Sequence, residues 1–422
     1  MDEHFLHFIW KFQKFNDRDL RTTDNTAISV FHQGYHNHDS GPDFEEARIL
    51  IGNVEWAGNV EIHLLSSDWH KHRHSENKAY NNVVLHVVWK HDQEIQIGGQ
   101  PVPTLELQKI IDPDFVLEYQ NHVSASSPIA CQNQYEDHLK ISYLSMIDKA
   151  LVERLERKAD LLLHALKKRN SDWEQIVFQS LMENFGFSTN KPAFQRLSES
   201  ITFSVLKKNL DSILSVESIL FGQAGFLEKP VDDYQSTLAE EYSYLKSKHR
   251  LQSGMLSHEW KFSKMRPANF PSLRIGQIAS LLHQQSGFFS KVLEVGSYED
   301  ALNLLSFELN PYWSHHYNFG KTRKSPKHAL GINSKESIVI NTIAPILAAY
   351  AKYTRNDVFM EKATKILERM PAEANNITKK WRFLGGSAEN AFESQGQIQL
   401  YKEYCDKRRC LSCAVGVSLL SG

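Results

Sequence analysis

Three residues that could bind a metal ion lie in the first quarter of the chain. Asp43 directly follows Gly41 and Pro42, and Glu61 and His63 stand two residues apart in the segment NVEIHLL. If that segment is a β-strand, Glu61 and His63 share one face while their apolar neighbours face the core. Two carboxylates and an imidazole can bind Mg²⁺ or Mn²⁺, and such an ion activates water. The spacing therefore predicts Asp43, Glu61 and His63 as a catalytic metal site.

Each of these residues also has a purely structural explanation. Asp43 can turn the chain after Pro42. Glu61 can be an exposed strand residue that pairs across the sheet, and His63 can be hydrogen-bonded to a neighbour. The sequence leaves both interpretations open.

A run of histidines follows the NVEIHLL segment. His70, His72 and His74 alternate in WHKHRH. In an extended chain all three share a face, and in a helix His70 and His74 lie one turn apart, so either conformation suits a zinc ion. We favour the alternative that the run is a polar, partly basic surface.

Four cysteines form another possible metal site. Cys405, Cys410 and Cys413 lie within nine residues near the end of the sequence, and Cys131 lies far from them. Gaps of two and four residues between thiolates suit zinc or an iron–sulfur cluster, whereas a disulfide framework is uncommon in a chain of this size. We predict one site that contains all four cysteines. The alternative is that they are small, half-buried apolar residues.

Net charge gives no evidence for a polyanionic partner. The chain has 48 Lys and Arg against 50 Asp and Glu, for a net charge of −2, so nucleic acid would have to contact a local patch. We predict that patch at Lys321, Arg323, Lys324 and Lys327, although basic clusters are more often solvated surface. No apolar run reaches 18 residues, so we expect no membrane span and a cytoplasmic location.

The surrounding sequence predicts the elements that position these residues. MDEHFLHFIWKFQKF has the apolar spacing of an amphipathic helix, and ARILIG, GNVEIHLL and NVVLHVVW are typical of short strands. From about residue 130 the periodicity becomes helical. We therefore predict an α+β or α/β chain with a mixed sheet and flanking helices in residues 1–125. A helical domain in 126–320 and a helical region with the cysteine cluster in 321–422 complete the prediction.

The order Gly41-Pro42-Asp43 and then Glu61-Ile62-His63 resembles the PD-(D/E)XK nuclease superfamily. In that superfamily an aspartate and a glutamate bind the metal, and a lysine two residues further on assists the attacking water; His63 replaces that lysine here. The resemblance implies a restriction-endonuclease-like sheet and a metal-dependent phosphodiesterase that acts on DNA or RNA. The cysteine layout is similar to that of iron–sulfur nucleases of the same superfamily, except that Cys131 follows the Asp–Glu motif and the tail spacing differs.

Two other functions stay open. The first is an inactive nuclease-like module that binds nucleic acid or acts as a scaffold, which the missing lysine favours. The second is a zinc hydrolase that uses the run from His70 to His74 on another substrate.

Segments along nearly the whole chain resemble an uncharacterised bacterial family, domain of unknown function 2851. They include LHFIWKFQKFN, GPDFEEARILIG, WAGNVEIHLLSSDWHKHRH and YCDKRRCLSCAVG. This resemblance implies a complete family member and implies no activity.

Overall fold

The computed structural model describes residues 2–37, 40–124, 127–134, 140–324 and 330–421. The chain forms two compact units, one made of Met1–Met146 with Leu400–Gly422 and the other of Ile147–Gln399. The first unit contains a mixed sheet with helices, and the second is mainly helical. The predicted α+β class is therefore confirmed. The predicted divisions after residues 125 and 320 do not coincide with the limits of the two units, because the last residues of the chain pack with the first unit.

The first unit is built on a six-stranded mixed sheet with the order β1-β3-β4-β5-β8. Strands β1, β3 and β4 are antiparallel neighbours, β5 and β8 extend the sheet in parallel, and β2 pairs with the beginning of β3. Strands β6 and β7 form a separate hairpin. The strands are β1 (Ile28–His32), β2 (Tyr35–His36), β3 (Phe44–Ile51), β4 (Val54–Leu65), β5 (Val83–Lys90), β6 (Gln96–Ile97), β7 (Gln100–Pro101) and β8 (Thr104–Glu106).

Helix α1 closes the core of this unit. The Asp2 side chain accepts a hydrogen bond from the N–H of Phe5 at the helix start, and Gln13 ends the helix in the left-handed conformation. Phe5 and Ile9 are fully buried in the same core as Ile62 of β4. The helices of the unit are α1 (Glu3–Phe12), α2 (Asp68–Lys71), α3 (Pro113–Ser124) and α19 (Ala414–Ser421).

The second part of strand β4, which contains Glu61 and His63, is covered on both faces. Val60 and Ile62 belong to the main core, as the alternation of NVEIHLL predicts. Glu61 and His63 are also buried, so Glu61 is not an exposed strand residue. The residues between β4 and β5 include Trp69 and Tyr80 of a second, smaller apolar cluster. A polar face of the strand is therefore enclosed within the protein.

The second unit has one large apolar core formed by its helices. A π-helical turn, Val339–Ile343, joins α14 to α15, and β9 (His316–Asn318) pairs with β10 (Lys321–Thr322). The remaining helices are α4 (Lys140–Lys168), α5 (Trp173–Phe185), α6 (Lys191–Glu199), α7 (Phe203–Lys207), α8 (Ile213–Gln223), α9 (Asp233–His249), α10 (Pro271–Gln284), α11 (Phe288–Glu294), α12 (Tyr298–Leu304), α13 (Pro311–His315), α14 (Ile332–Ile338), α15 (Ala344–Thr354), α16 (Val358–Arg369), α17 (Asn376–Phe383) and α18 (Ala391–Leu400). Within the described residues, no helix has both the length and the apolar character needed to cross a bilayer.

Candidate metal centre

Asp43, which immediately precedes β3, lies beside Glu61 of the neighbouring strand β4. Phe44 pairs with Val60 between the antiparallel strands β3 and β4, which places the residue before Phe44 beside the residue after Val60. The backbone N–H of Asp43 donates to Glu61 Oε2 at 3.2 Å. The N–H of Ile62 in turn donates to Asp43 Oδ2 at 2.9 Å. The structure thus brings the two predicted carboxylates together and fixes both through the backbone.

Three histidine nitrogens converge next to Glu61. His63 Nε2 lies 3.2 Å from His72 Nδ1 and 3.3 Å from His74 Nε2. Glu61 Oε1 lies 3.1 Å from His74 Nε2 and 3.6 Å from His63 Nε2. The ligand nitrogens of His63, His72 and His74 all lie within 4.8 Å of one another. The three imidazoles therefore face a common point, and a carboxylate oxygen of Glu61 lies beside two of them.

These separations fit the dimensions of a metal centre. Four ligands at 2.0–2.1 Å from a tetrahedral zinc ion are about 3.3–3.4 Å from each other. Four of the six separations among Glu61, His63, His72 and His74 are given above, and they range from 3.1 to 3.6 Å around that value. Nitrogen-rich ligand sets of this type suit Zn²⁺ and similar transition metals better than Mg²⁺, which prefers oxygen.

A change of backbone direction brings two of the run histidines to the site. Helix α2 ends at Lys71, Arg73 adopts a left-handed conformation with φ of 58°, and His74 begins a short 3₁₀ turn. His72 and His74 then approach His63, whereas His70 is exposed and lies outside the group. The run is neither one strand nor one helix, so neither conformation considered for it in the sequence is the one that it adopts. The expectation that the whole run is surface is wrong for His74, which is buried.

A second layer of side chains holds the ligands. His86 on β5 places Nε2 at 2.8 Å from His63 Nδ1. Tyr80 stacks on His74 with ring centroids 3.9 Å apart, and its hydroxyl donates to Gly41 O at 3.2 Å. The sequence analysis missed His86, although a histidine in the middle of the apolar strand NVVLHVVW was a usable signal.

Burial shifts the ionisation of the enclosed groups. It raises the pKa of Glu61 to about 9, with the neighbouring carboxylate of Asp43 adding to the effect. It lowers the pKa of His63 to about 2 and that of His86 to about 3, and the nearby imidazoles add to both shifts. The pKa of His74 is also lowered by burial. These imidazoles are therefore uncharged near neutral pH, which is the form that binds metals.

Asp43 and His72 form the accessible edge of the group. The side chains of Glu61 and His63 are 5% and 1% exposed, whereas that of Asp43 is 23% exposed. His72 is exposed as well. His7 of α1, a residue that the sequence analysis missed, places Nε2 at 3.4 Å from Asp43 Oδ2. A ligand from solvent would meet the site at Asp43 and His72.

The other predicted residues lie elsewhere. Cys131, Cys405, Cys410 and Cys413 line one small cavity in the first unit. The basic segment belongs to the second unit, where Lys321 and Lys324 are exposed. Arg323 is half-buried and donates from Nη2 to His316 O at 2.9 Å, so its side chain supports the β9–β10 hairpin. Lys327 lies outside the described residues.

Comparison with known proteins identifies a family and gives no activity. No curated protein and no solved structure matches the chain. A family model described as "Protein of unknown function (DUF2851)" matches residues 3–376, which include the candidate metal centre and Cys131 and exclude the three tail cysteines. Because this match covers most of the sequence, the chain belongs to the DUF2851 family of proteins of unknown function.

Proposed function

We propose that this chain is a metal-dependent hydrolase that cleaves phosphodiester bonds in DNA or RNA. The observation that carries the proposal is the convergence of Glu61 Oε1 with the ring nitrogens of His63 and His74 at distances typical of metal ligands. The resemblance of the Asp43 and Glu61 motif to PD-(D/E)XK nucleases supports the choice of phosphodiesters. Placement of the two residues on adjacent strands of a mixed sheet agrees with that resemblance.

Glu61, His63, His72 and His74 would hold the ion, with Zn²⁺ or Mn²⁺ as the expected species. A divalent ion in such a site lowers the pKa of water and stabilises negative charge on phosphate. His63 is enclosed, and its two ring nitrogens face His86 on one side and His72 and His74 on the other. We therefore assign His63 to metal binding and not to the water-assisting role of the lysine that it replaces in the PD-(D/E)XK motif.

Asp43 is the better candidate for proton transfer. Its carboxylate is anchored by the N–H of Ile62 and is partly exposed, so it can contact a water molecule that approaches from solvent. Arg73 and Lys78 are exposed on the segment that supplies His72 and His74. Their positive charge favours an anionic substrate at this edge.

The test is hydrolysis of labelled single- and double-stranded DNA and RNA by protein supplied with Zn²⁺ or Mn²⁺. We expect Glu61→Gln to reduce cleavage to the level of metal-free protein while its circular dichroism spectrum stays unchanged, because the amide keeps the shape but cannot lose a proton to become an anionic metal ligand. His70→Gln, a change at an exposed histidine outside the group, is the matched control and should retain cleavage. Equal cleavage by Glu61→Gln and wild-type protein would exclude this site as the catalyst.

A second candidate is a module in which the metal has a structural role. The near-complete burial of Glu61 and His63 favours it, because catalytic metal sites keep an open position. The chain would then bind nucleic acid or act as a scaffold without cleaving it. Stoichiometric metal that stabilises the fold, combined with no cleavage of any of the four substrates, would select this candidate.

A further inference from the structure

The four cysteines of the chain lie together, away from the histidine centre described above. Cys131 is in the 3₁₀ turn Ala130–Asn133, Cys405 ends the π-helical turn Tyr401–Cys405, and Cys410 begins the 3₁₀ turn Cys410–Ser412. Cys413 precedes α19. None of the four forms a disulfide, and all four line the same cavity of about 20 Å³. A water-sized particle needs about 10–15 Å³, so the cavity has the dimensions of a single ion.

The cysteines also affect the pKa values of one another's thiols. Burial is the main cause that raises the pKa of Cys131 to about 12 and that of Cys410 to about 11, and it raises the pKa of Cys405 as well. In each case other cysteines of the group add to the shift, and Cys413 contributes to all three. These mutual effects agree with the placement of the four cysteines around one cavity.

A buried histidine lines the same cavity. The Nδ1 of this residue, His122 of α3, lies 3.0 Å from Gln134 Oε1. Its Nε2 is buried and has no hydrogen-bond partner among the residues that the structure describes. A buried imidazole nitrogen left unsatisfied is costly, and a metal or a metal-bound thiolate would satisfy it.

The backbone is shaped to keep the cysteines close. A Cβ added to Gly416 of α19 would lie 2.3 Å from Cys410 O, so only glycine allows α19 to pack against the turn that carries Cys410. Arg408 donates from Nη2 to Ser127 O at 2.7 Å, and its positive charge acts against the raised pKa of Cys405 and Cys410. This cationic side chain would balance part of the negative charge if Cys405 and Cys410 bind a metal as thiolates.

We propose that Cys131, Cys405, Cys410 and Cys413 bind a metal centre through their thiolates, beside His122. A single ion such as Zn²⁺ would displace four thiol protons on binding, and an iron–sulfur cluster would use the same thiolates. The centre joins residues from the two separate stretches of chain that make up the first unit, Met1–Met146 and Leu400–Gly422. Its role is structural: it fixes the returning chain end to the rest of the unit.

The first experiment counts metals in the full-length protein purified without chelators and without oxygen. We expect Cys413→Ser to lose one equivalent of zinc, or all iron and visible absorbance if the centre is a cluster. Ser412→Ala, an exposed neighbour in the same turn, should keep the metal and is the matched control. The histidine centre is accounted for separately, because its metal should be lost in His74→Ala and retained in Cys413→Ser.

A second measurement uses wild-type protein and so does not depend on whether Cys413→Ser folds. Alkylation by iodoacetamide, followed by mass spectrometry of each cysteine, is compared before and after treatment with a strong chelator. We expect all four cysteines to be protected before treatment and to react together after it. Protein that contains neither zinc nor iron, with alkylation rates that the chelator does not change, would overturn the proposal.

Discussion

His86 should control metal affinity although it does not face the metal. Its ring is fully buried, and its Nε2 lies 2.8 Å from His63 Nδ1. A neutral imidazole has one N–H. If His63 donates that hydrogen from Nδ1 to His86 Nε2, its own Nε2 keeps an electron pair that can bind the ion. His86→Phe keeps a buried aromatic ring at this position but removes the nitrogen that accepts the hydrogen bond.

The size of the effect follows from the loss of this one contact. Removing the hydrogen bond that orients a metal-binding histidine costs roughly 10- to 100-fold in metal affinity. That range equals about 1.4 to 2.8 kcal/mol of binding free energy. In metal-free protein the same change leaves His63 Nδ1 buried without a partner, which lowers the free energy of unfolding by about 1–3 kcal/mol.

The assay is calorimetric titration of zinc into metal-free protein, with the histidine-site step identified as the one absent in His74→Ala. His86→Phe should weaken that step by the factor above, and His86→Gln should recover part of the loss because its amide oxygen accepts a hydrogen bond. His70→Phe, a change at an exposed histidine, should bind zinc normally. A folded His86→Phe variant with wild-type affinity at that step would refute the role assigned to His86.

Three further predictions concern stability and nucleic-acid binding. Burial raises the pKa of Glu217 to about 7, so the stability that this residue contributes below its ordinary pKa of 4.5 should be lost as pH rises through 7. Urea unfolding should show a loss of about 3 kcal/mol in the free energy of unfolding of wild-type protein but not of Glu217→Gln. Equal pH profiles of the two proteins would contradict this. Gly58→Ala would place a Cβ 2.6 Å from Asn82 O, and we expect it to lower the free energy of unfolding by about 1–3 kcal/mol. Gly331→Ala is the control, because its added Cβ would meet no atom of another described residue, its chain neighbours aside, within 4 Å. Equal effects of the two changes in urea unfolding would contradict the close approach at Gly58. Lys321→Glu and Lys324→Glu should weaken nucleic-acid binding. They should also reduce the slope of log affinity against log salt by about 1 per lost phosphate contact. Binding titrations that are unchanged at every salt concentration would exclude this segment as the contact.

The shared face of Glu61 and His63 followed from local sequence. A strand alternates its side chains, so Glu61 and His63 had to share a face, and Val60 and Ile62 had to enter the core. Antiparallel pairing of β3 with β4 then places Asp43 beside Glu61. Elements with strong periodicity, such as α1, were predictable for the same reason.

The remaining ligands depend on conformations that spacing does not specify. His72 and His74 reach the site because Arg73 adopts a left-handed conformation that is uncommon for a residue other than glycine. His86 faces His63 because β4 and β5 are parallel and paired in a particular register, which the local sequence of neither strand specifies. The burial of Glu61 likewise depends on that connection. Long-range register and a single backbone angle therefore account for what sequence reasoning missed.

The central claim is that Glu61, His63, His72 and His74 bind one metal ion. Crystals grown with Zn²⁺ and measured on both sides of the zinc absorption edge test it directly. The predicted result is an anomalous difference peak about 2.0–2.1 Å from His63 Nε2 and His74 Nε2. Zinc peaks confined to other sites, with no peak between these two nitrogens, would contradict the claim.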